Sequence, residues 1–172
     1  MKTHHRLTLL AGAAMLLALP AFAADREDIQ ALNQSRISLT QAIETAAREG
    51  NGRAIDAEFD VENGRGEYEV KVLGQDTLVS YVIDADTGAV KKMENERIEQ
   101  FFTRLTPQDL LNAQTTLTQA VGIAEQRAGG RALDIEAERE GEHIAYEVTV
   151  VRPDGSSQEL RIDGMSGQVA ER

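Results

Sequence analysis

The sequence contains no cysteine and no tryptophan, and only 4% of its 172 residues are aromatic. Without cysteine the chain has no disulfide, thiolate nucleophile, iron–sulfur cluster or cysteine-ligated zinc, and no thiol that could carry a lipid anchor. The scarcity of aromatic residues argues against proteins that stack sugar rings or single-stranded bases. Basic residues are also in deficit, since 18 Lys and Arg face 29 Asp and Glu, for a formal net charge of −11. We therefore expect no nucleic-acid partner, because phosphate binding requires a basic surface.

The N-terminus has the three parts of a secretory signal peptide. Lys2 and Arg6 precede an apolar run of 13 residues, Leu7–Leu19, and the small-x-small sequence Ala21-Phe22-Ala23 follows it. Thirteen residues are too few to span a bilayer, which takes about 20. We predict cleavage after Ala23, export to a bacterial periplasm or secretion, and no membrane anchor after cleavage.

The remainder of the chain is an internal duplication. Residues 39–73 recur as 117–151 without a gap, with 15 identities in 35 positions. Leu39-Thr40-Gln41-Ala42, for example, returns 78 positions later as Leu117-Thr118-Gln119-Ala120. A repeat of this length predicts two copies of one structural unit.

Each copy predicts one helix followed by strands. Ser38 and Thr116 are predicted N-caps of capping boxes, because a glutamine stands three residues further on in both copies. Glycines at 50, 52, 129 and 130 predict the ends of the helices. Apolar and charged residues then alternate with a period of two, which is typical of half-buried antiparallel strands. The predicted fold class is α+β: two tandem repeats, each one helix packed on a small antiparallel three- to four-stranded sheet, joined by a helical segment.

The predicted connector between the repeats is helical. Ile98, Phe101, Phe102 and Leu105 have helical spacing, and Thr106-Pro107 is typical of an N-cap with proline at the first helical position. The stripe either packs in the core, which we favour, or forms an exposed groove for a partner. The predicted segments are a signal peptide (1–23), an N-terminal lead-in (24–36), domain 1 (37–93), the connector (94–114) and domain 2 (115–172).

Three motifs that occur in both copies resemble the PepSY domain family. In the first copy they are Ser38-Leu39-Thr40-Gln41-Ala42, Tyr68-Glu69-Val70 and Ile83-Asp84-Ala85-Asp86-Thr87-Gly88-Ala89-Val90. In the second they are Thr116-Leu117-Thr118-Gln119-Ala120, Tyr146-Glu147-Val148 and Ile162-Asp163-Gly164-Met165-Ser166-Gly167-Gln168-Val169. The resemblance implies small α+β domains outside the cytoplasm, with no catalytic residues common to the family. The related domain in propeptides of secreted metalloproteases is thought to restrain the protease, which implies inhibitory or regulatory binding of another envelope or secreted protein, with proteases among the expected partners.

Residues suited to catalysis or metal binding are scarce. His143 is the one histidine after the predicted cleavage site and lies in a predicted hairpin turn, which favours an ordinary surface residue. The segment Asp84–Gly88 weakly resembles a calcium loop but lacks its third aspartate and its closing glutamate, so an aspartate-stabilised turn is favoured. We predict no catalytic residue, no metal site, no cofactor and no enzymatic activity.

The strongest candidate binding surface is acidic. If the strands pair as the alternation predicts, acidic residues share one side of each sheet, with Lys71 as the one offsetting base. They are Asp56, Glu58, Asp60, Glu67 and Glu69 in the first repeat and Asp134, Glu136, Glu138 and Glu147 in the second.

This surface has a negative potential that either attracts a basic protein, collects divalent cations weakly, or serves only as a solvated face that keeps the protein soluble. The leading hypothesis is a non-enzymatic protein that binds and modulates another envelope protein. The alternative is a small-ligand or divalent-cation-responsive sensor component of the envelope.

Overall fold

A computed structural model of the chain describes residues 26–75, 77–97 and 106–170. The predicted signal peptide and the stripe from Ile98 to Leu105 lie outside these residues. The described residues form four helices and eight strands: α1 (Arg26–Gln34), α2 (Leu39–Gly50), β1 (Arg53–Glu62), β2 (Arg65–Leu73), β3 (Leu78–Asp84), β4 (Val90–Glu96), α3 (Pro107–Asn112), α4 (Leu117–Ala128), β5 (Arg131–Glu140), β6 (His143–Val151), β7 (Ser157–Asp163) and β8 (Val169–Ala170). The α+β class and the two repeats are confirmed. None of these helices is long and apolar enough to span a membrane.

The main helix of each repeat begins where the capping boxes predict. The Gln41 backbone N–H donates to Ser38 Oγ over 3.2 Å, and Ser38 N–H donates to Gln41 Oε1 over 2.9 Å. Thr116 and Gln119 repeat both bonds in α4. These reciprocal bonds satisfy backbone donors that a helix leaves without partners in its first turn.

The two main helices, α2 and α4, end with different C-cap residues. Asn51, with φ 44°, caps α2 in the left-handed region, whereas Gly129, with φ 72°, caps α4. The neighbouring glycines serve a different purpose. A Cβ on Gly52 would lie 2.5 Å from the Leu73 carbonyl oxygen, and one on Gly130 would lie 2.1 Å from a carbonyl oxygen of β6. Both glycines therefore allow the chain to pass close to the second strand of its own repeat.

The strands form one continuous antiparallel sheet in the order β4-β3-β2-β1-β5-β6-β7-β8. Each repeat contributes four neighbouring strands, and β1 and β5 join the two halves. Ala57 lies opposite Ile135, its own counterpart at the repeat offset of 78, with Asp56 opposite Glu136 and Glu58 opposite Asp134 on either side. A pseudo-two-fold axis therefore passes through the Ala57–Ile135 pair, as it would in an isologous dimer.

A short helix precedes the main helix of each repeat. The lead-in contains α1, and its counterpart α3 occupies the end of the predicted connector. Leu32 of α1 and Leu110 of α3 are 0% and 1% exposed and differ by 78 positions. The first three residues of the predicted connector, 94–96, lie in β4 instead.

The core lies on one face of the sheet, where α2 and α4 pack side by side. Tyr68 and Tyr146 anchor this layer at equivalent places. Their hydroxyls donate over 2.7 Å to the carbonyl oxygens of Ile37 and Thr115, the residues that precede the two helix N-caps.

Two arginines tie each repeat to the other. Arg131, at the start of β5, donates to the carbonyl oxygens of Ser35 and Ile37 over 3.2 and 3.1 Å, and to that of Leu32. Its counterpart Arg53 donates to the carbonyl oxygen of Ala113 over 3.3 Å. Both side chains donate to carbonyls in the last turn of α1 or just after α1 or α3, where a helix leaves acceptors without partners.

Candidate functional site

All nine predicted acidic residues lie on the face of the sheet opposite the helices, which we call the open face. The strand register shows this, because residues directly opposite each other in a ladder point to the same side. One row of paired residues contains Glu69, Glu58 and Asp134, and the next contains Asp56, Glu136 and Glu147. Asp60 pairs with Glu67, and Glu138 follows two residues after Glu136 on the same strand. The structure therefore brings the predicted residues of both repeats onto one surface.

The central carboxyl cluster consists of Asp56, Glu58, Asp134 and Glu136, which surround the pseudo-two-fold axis. Two of the three residue pairs that join β1 to β5 are acid–acid pairs from this cluster. Lys71 Nζ contacts Asp56 Oδ1 over 2.9 Å. The other three cluster members form no ion pair with any residue that the structure describes.

The pKa values of the cluster reflect its burial and its crowding. Burial is the main reason that the pKa of Asp134 rises to about 6, and the charges of Glu58 and Asp56 raise it further against the hydrogen bond from Thr149. Burial likewise raises the pKa of Asp56, although Lys71 opposes the change. Burial and then the charge of Asp56 raise the pKa values of Glu58 and Glu136. A nearby cation would relieve this repulsion.

The face is less uniformly negative than predicted, because Lys71 does not offset the acids alone. Lys91 Nζ lies 2.5 Å from Glu67 Oε2, and Arg161 lies 3.1–3.3 Å from Glu138, Glu140 and Glu147. These bases belong to β4 and β7, whose register the alternation did not fix. They offset part of the negative charge at the two outer parts of the face.

An open depression of about 530 Å³ adjoins the cluster on the first repeat's half of the open face. Glu58 joins the depression to the cluster. Its lining residues are Glu58, Asp60, Glu62, Glu67, Glu69, Val82, Lys91, Lys92 and Glu94. The depression is wide and charged, which suits a flexible polar segment better than an apolar small molecule.

The other candidate residues have ordinary structural roles. Asp84 Oδ1 accepts bonds from the Thr87 N–H and hydroxyl, both over 2.8 Å, and Asp163 does the same with Ser166. These bonds are the main reason that the pKa values of both aspartates are lowered. His143 is exposed at the start of β6. Within the described ranges no three His, Asp or Glu side chains are placed to hold a metal ion.

The family of the chain follows from its two repeats. Residues 36–94 and 116–172 each match the family model of the peptidase propeptide and YPEB domain, PepSY. The chain belongs to the PepSY family. Each match covers the main helix and the strands of one repeat, as the motifs predict.

Two solved structures are similar to this PepSY protein. A candidate lipoprotein from Clostridium difficile 630 is 19% identical to it, with 80% of this chain and 92% of that chain covered and a TM-score of 0.46. The YpmB protein from Bacillus subtilis is also 19% identical, with coverages of 74% and 93% and a TM-score of 0.32. Among curated proteins there is no match to this chain.

The sequence alone did not single out the central carboxyl cluster of this PepSY protein. Burial is the main cause of the raised pKa of Asp134, and the charges that raise it further come from Glu58 and Asp56, across the β1–β5 joint in the other repeat. The repeat offset was the one available signal. Two equivalent strands that pair antiparallel at a pseudo-two-fold axis bring equivalent residues together.

Proposed function

We propose that this PepSY protein works outside the cytoplasm as a non-enzymatic binding protein that modulates another envelope or secreted protein. A secreted protease is the partner class that the family resemblance favours. The contact surface is the open face, and the partner presents Lys or Arg side chains to the central carboxyl cluster. The observation that supports this proposal is the meeting of four carboxyl groups at the β1–β5 joint with Lys71 as their one ion-pair partner among the described residues.

Electrostatics favour a basic partner over a neutral one. The raised pKa values mean that the cluster holds its charges at a free-energy cost, which an incoming cation lowers. The net charge of −11 also steers a basic protein towards this surface. Binding then releases protons, because a cation next to Asp134 lowers a pKa that lies near 6 in the free protein.

The divalent-cation alternative predicts a different response. A cation-responsive component binds calcium with a measurable heat, whereas the proposed protein binder requires no metal. Within the described ranges no three side chains are placed as ligands. We therefore expect no heat when the purified protein is titrated with calcium up to millimolar concentration.

Capture from an envelope extract tests the proposal. The bait is the purified protein, and the comparison variant is the double substitution Glu58→Gln and Glu136→Gln, which removes two charges from exposed cluster positions. The control variant is Glu44→Gln with Glu142→Gln, which removes two exposed charges outside the cluster. We expect wild type and control to retain a basic protein that salt releases, and the cluster variant to retain roughly tenfold less of it.

A retained protein should bind with proton release that is largest near pH 6, measured by calorimetry in buffers of different ionisation enthalpy. Equal recovery by the wild type and the cluster variant would overturn the proposed surface. Failure to retain any protein would overturn the proposed function, and heat on calcium addition would favour the sensor alternative.

A further inference from the structure

We propose that β4 is the contact through which two copies of this chain pair, edge to edge and antiparallel. Strand β4 lies at one end of the sheet and pairs with β3 along its inner side. No described residue pairs with its outer side. An edge strand of seven residues presents backbone N–H and C=O groups that another strand can bind.

The charges of β4 are complementary to the same strand running in the opposite direction. Its sequence is Val90-Lys91-Lys92-Met93-Glu94-Asn95-Glu96. Antiparallel pairing about Met93 places Lys92 of each copy opposite Glu94 of the other. The two side chains are 58% and 56% exposed and lie on the open face, where they pair with each other along the strand at 2.8 Å. They are therefore free to exchange partners across the interface.

The same register also covers an exposed apolar side chain. Met93 is 63% exposed and lies opposite Tyr81, on the side of the sheet that faces the helices. In the proposed register the two Met93 side chains meet at the two-fold axis and remove each other from water. Charge pairing on one face and apolar contact on the other thus select one register.

Lysines on an edge strand normally discourage pairing, because they repel other lysines. In β4 the lysines precede Met93 and the glutamates follow it. A second β4 strand that runs in the opposite direction therefore brings its glutamate opposite the lysine of the first. The fold already contains a joint of this geometry, since β1 and β5 pair about Ala57 and Ile135 in the same way. A β4–β4 contact would continue the sheet to sixteen strands with both open faces on one side.

A single engineered cysteine tests the register, because the chain has none of its own. In the proposed dimer the two Met93 Cα atoms lie about 4.5–5.5 Å apart, which a disulfide can bridge. The matched control is Asn95→Cys, whose two copies would lie about 13 Å apart, four residues along the strand. We expect mild oxidation of the full chain to convert Met93→Cys to a covalent dimer and to leave Asn95→Cys monomeric. Equal cross-linking of the two variants, or none of either, would overturn the register.

Charge exchange tests the interface independently by sedimentation equilibrium. Lys92→Glu places two like-charged pairs at the interface, and we expect it to raise the dimer dissociation constant about tenfold. Adding Glu94→Lys should restore wild-type association, because the pairs are then exchanged rather than broken. Arg26→Glu, which makes the same charge change on exposed α1, should have no effect. A wild-type protein that stays monomeric at millimolar concentration, or that pairs by β4 only with a different protein, would overturn the proposal.

Discussion

The two repeats fill the same part of the core with different side chains. At three matched positions the first repeat has Phe59, Gly66 and Ala85, and the second has Ala137, Ile144 and Gly164. The Phe59 ring lies where a Cβ on Gly66 would approach it to 2.6 Å, and Ile144 lies where a Cβ on Gly164 would approach its Cγ1 to 2.6 Å. None of the three residues is conserved, and the one large side chain moves from the first position (Phe59) to the second (Ile144). On the face of the sheet that packs against the helices, the three positions therefore constrain one another, because a large side chain at one of them requires small side chains at the others.

The open face has diverged in a different way. In the first repeat Lys71 contacts Asp56 and Lys91 contacts Glu67, whereas in the second Arg161 contacts three carboxylates. Both arrangements give a largely buried charge, Glu67 in the first repeat and Arg161 in the second, a partner of opposite sign. Both repeats thus have a packed core on the helix side of the sheet and an acidic surface on the open face.

The largest expected effect comes from exchanging part of the packed set. Gly66→Ile alone should destabilise the protein by about 3 kcal/mol, because the new side chain overlaps the Phe59 ring. Adding Phe59→Ala and Ala85→Gly transplants the second repeat's arrangement and should restore most of that loss. Urea unfolding midpoints of the two variants measure both effects. A triple variant no more stable than Gly66→Ile alone would contradict the interpretation that the three positions depend on one another.

The next effect compares the two arginines that join the repeats. Arg131→Met removes donors from the carbonyl oxygens of Leu32, Ser35 and Ile37 and should cost about 2 kcal/mol. Arg53→Met removes its bond to the Ala113 carbonyl oxygen and should cost about 1 kcal/mol. Urea unfolding again provides the measurement. Equal losses would show that the two joints are equivalent in spite of their different bonds.

A further expected effect depends on pH and distinguishes Asp134 from its counterpart Asp56. The pKa of Asp134 is about 6 when folded, above its ordinary value of 3.8, so the folded chain retains a proton that the unfolded chain releases between these values. The contribution to stability is therefore present below pH 4 and is lost as the pH rises through 6, by on the order of 3 kcal/mol.

Asp134→Asn should remove this loss, because asparagine does not titrate. The free energy of unfolding of the variant should therefore rise relative to that of the wild type between pH 4 and pH 7.5. Asp56→Asn should shift it less, because that substitution also removes the partner of Lys71. Unfolding free energies at the two pH values give the comparison. A flat difference for Asp134→Asn would show that folding does not raise the pKa of this carboxyl group.

Local patterns predicted most of the fold. Capping boxes, alternation and the repeat itself locate the main helices and the strands, because each signal depends on residues that are close in sequence. Helix α1 escaped detection because its counterpart α3 shares little with it beyond Gln30/Gln108 and Leu32/Leu110. So short a resemblance is not visible without the structure.

Pairings between distant strands could not be predicted. The β1–β5 joint depends on how the two halves pack, and no local pattern distinguishes the inner edge of a repeat from its outer edge. The position of Lys91 depends on a register shift between Val82 and Ile83 in the β3–β4 ladder, which places it beside Glu67. A bulge of this kind changes the face to which a side chain points, so the alternation of apolar and polar residues does not predict its position.

The Ala57–Ile135 pair on the pseudo-two-fold axis shows how the sequence at the joint can evolve. In a dimer of identical subunits the residue on the axis must face its own copy, so every substitution there occurs twice. Here one polypeptide supplies both sides, and small Ala57 faces large Ile135. Covalent linkage makes the association independent of protein concentration, because the second half is always present at high local concentration. Selection can therefore alter one half of the joint while the other half stays unchanged.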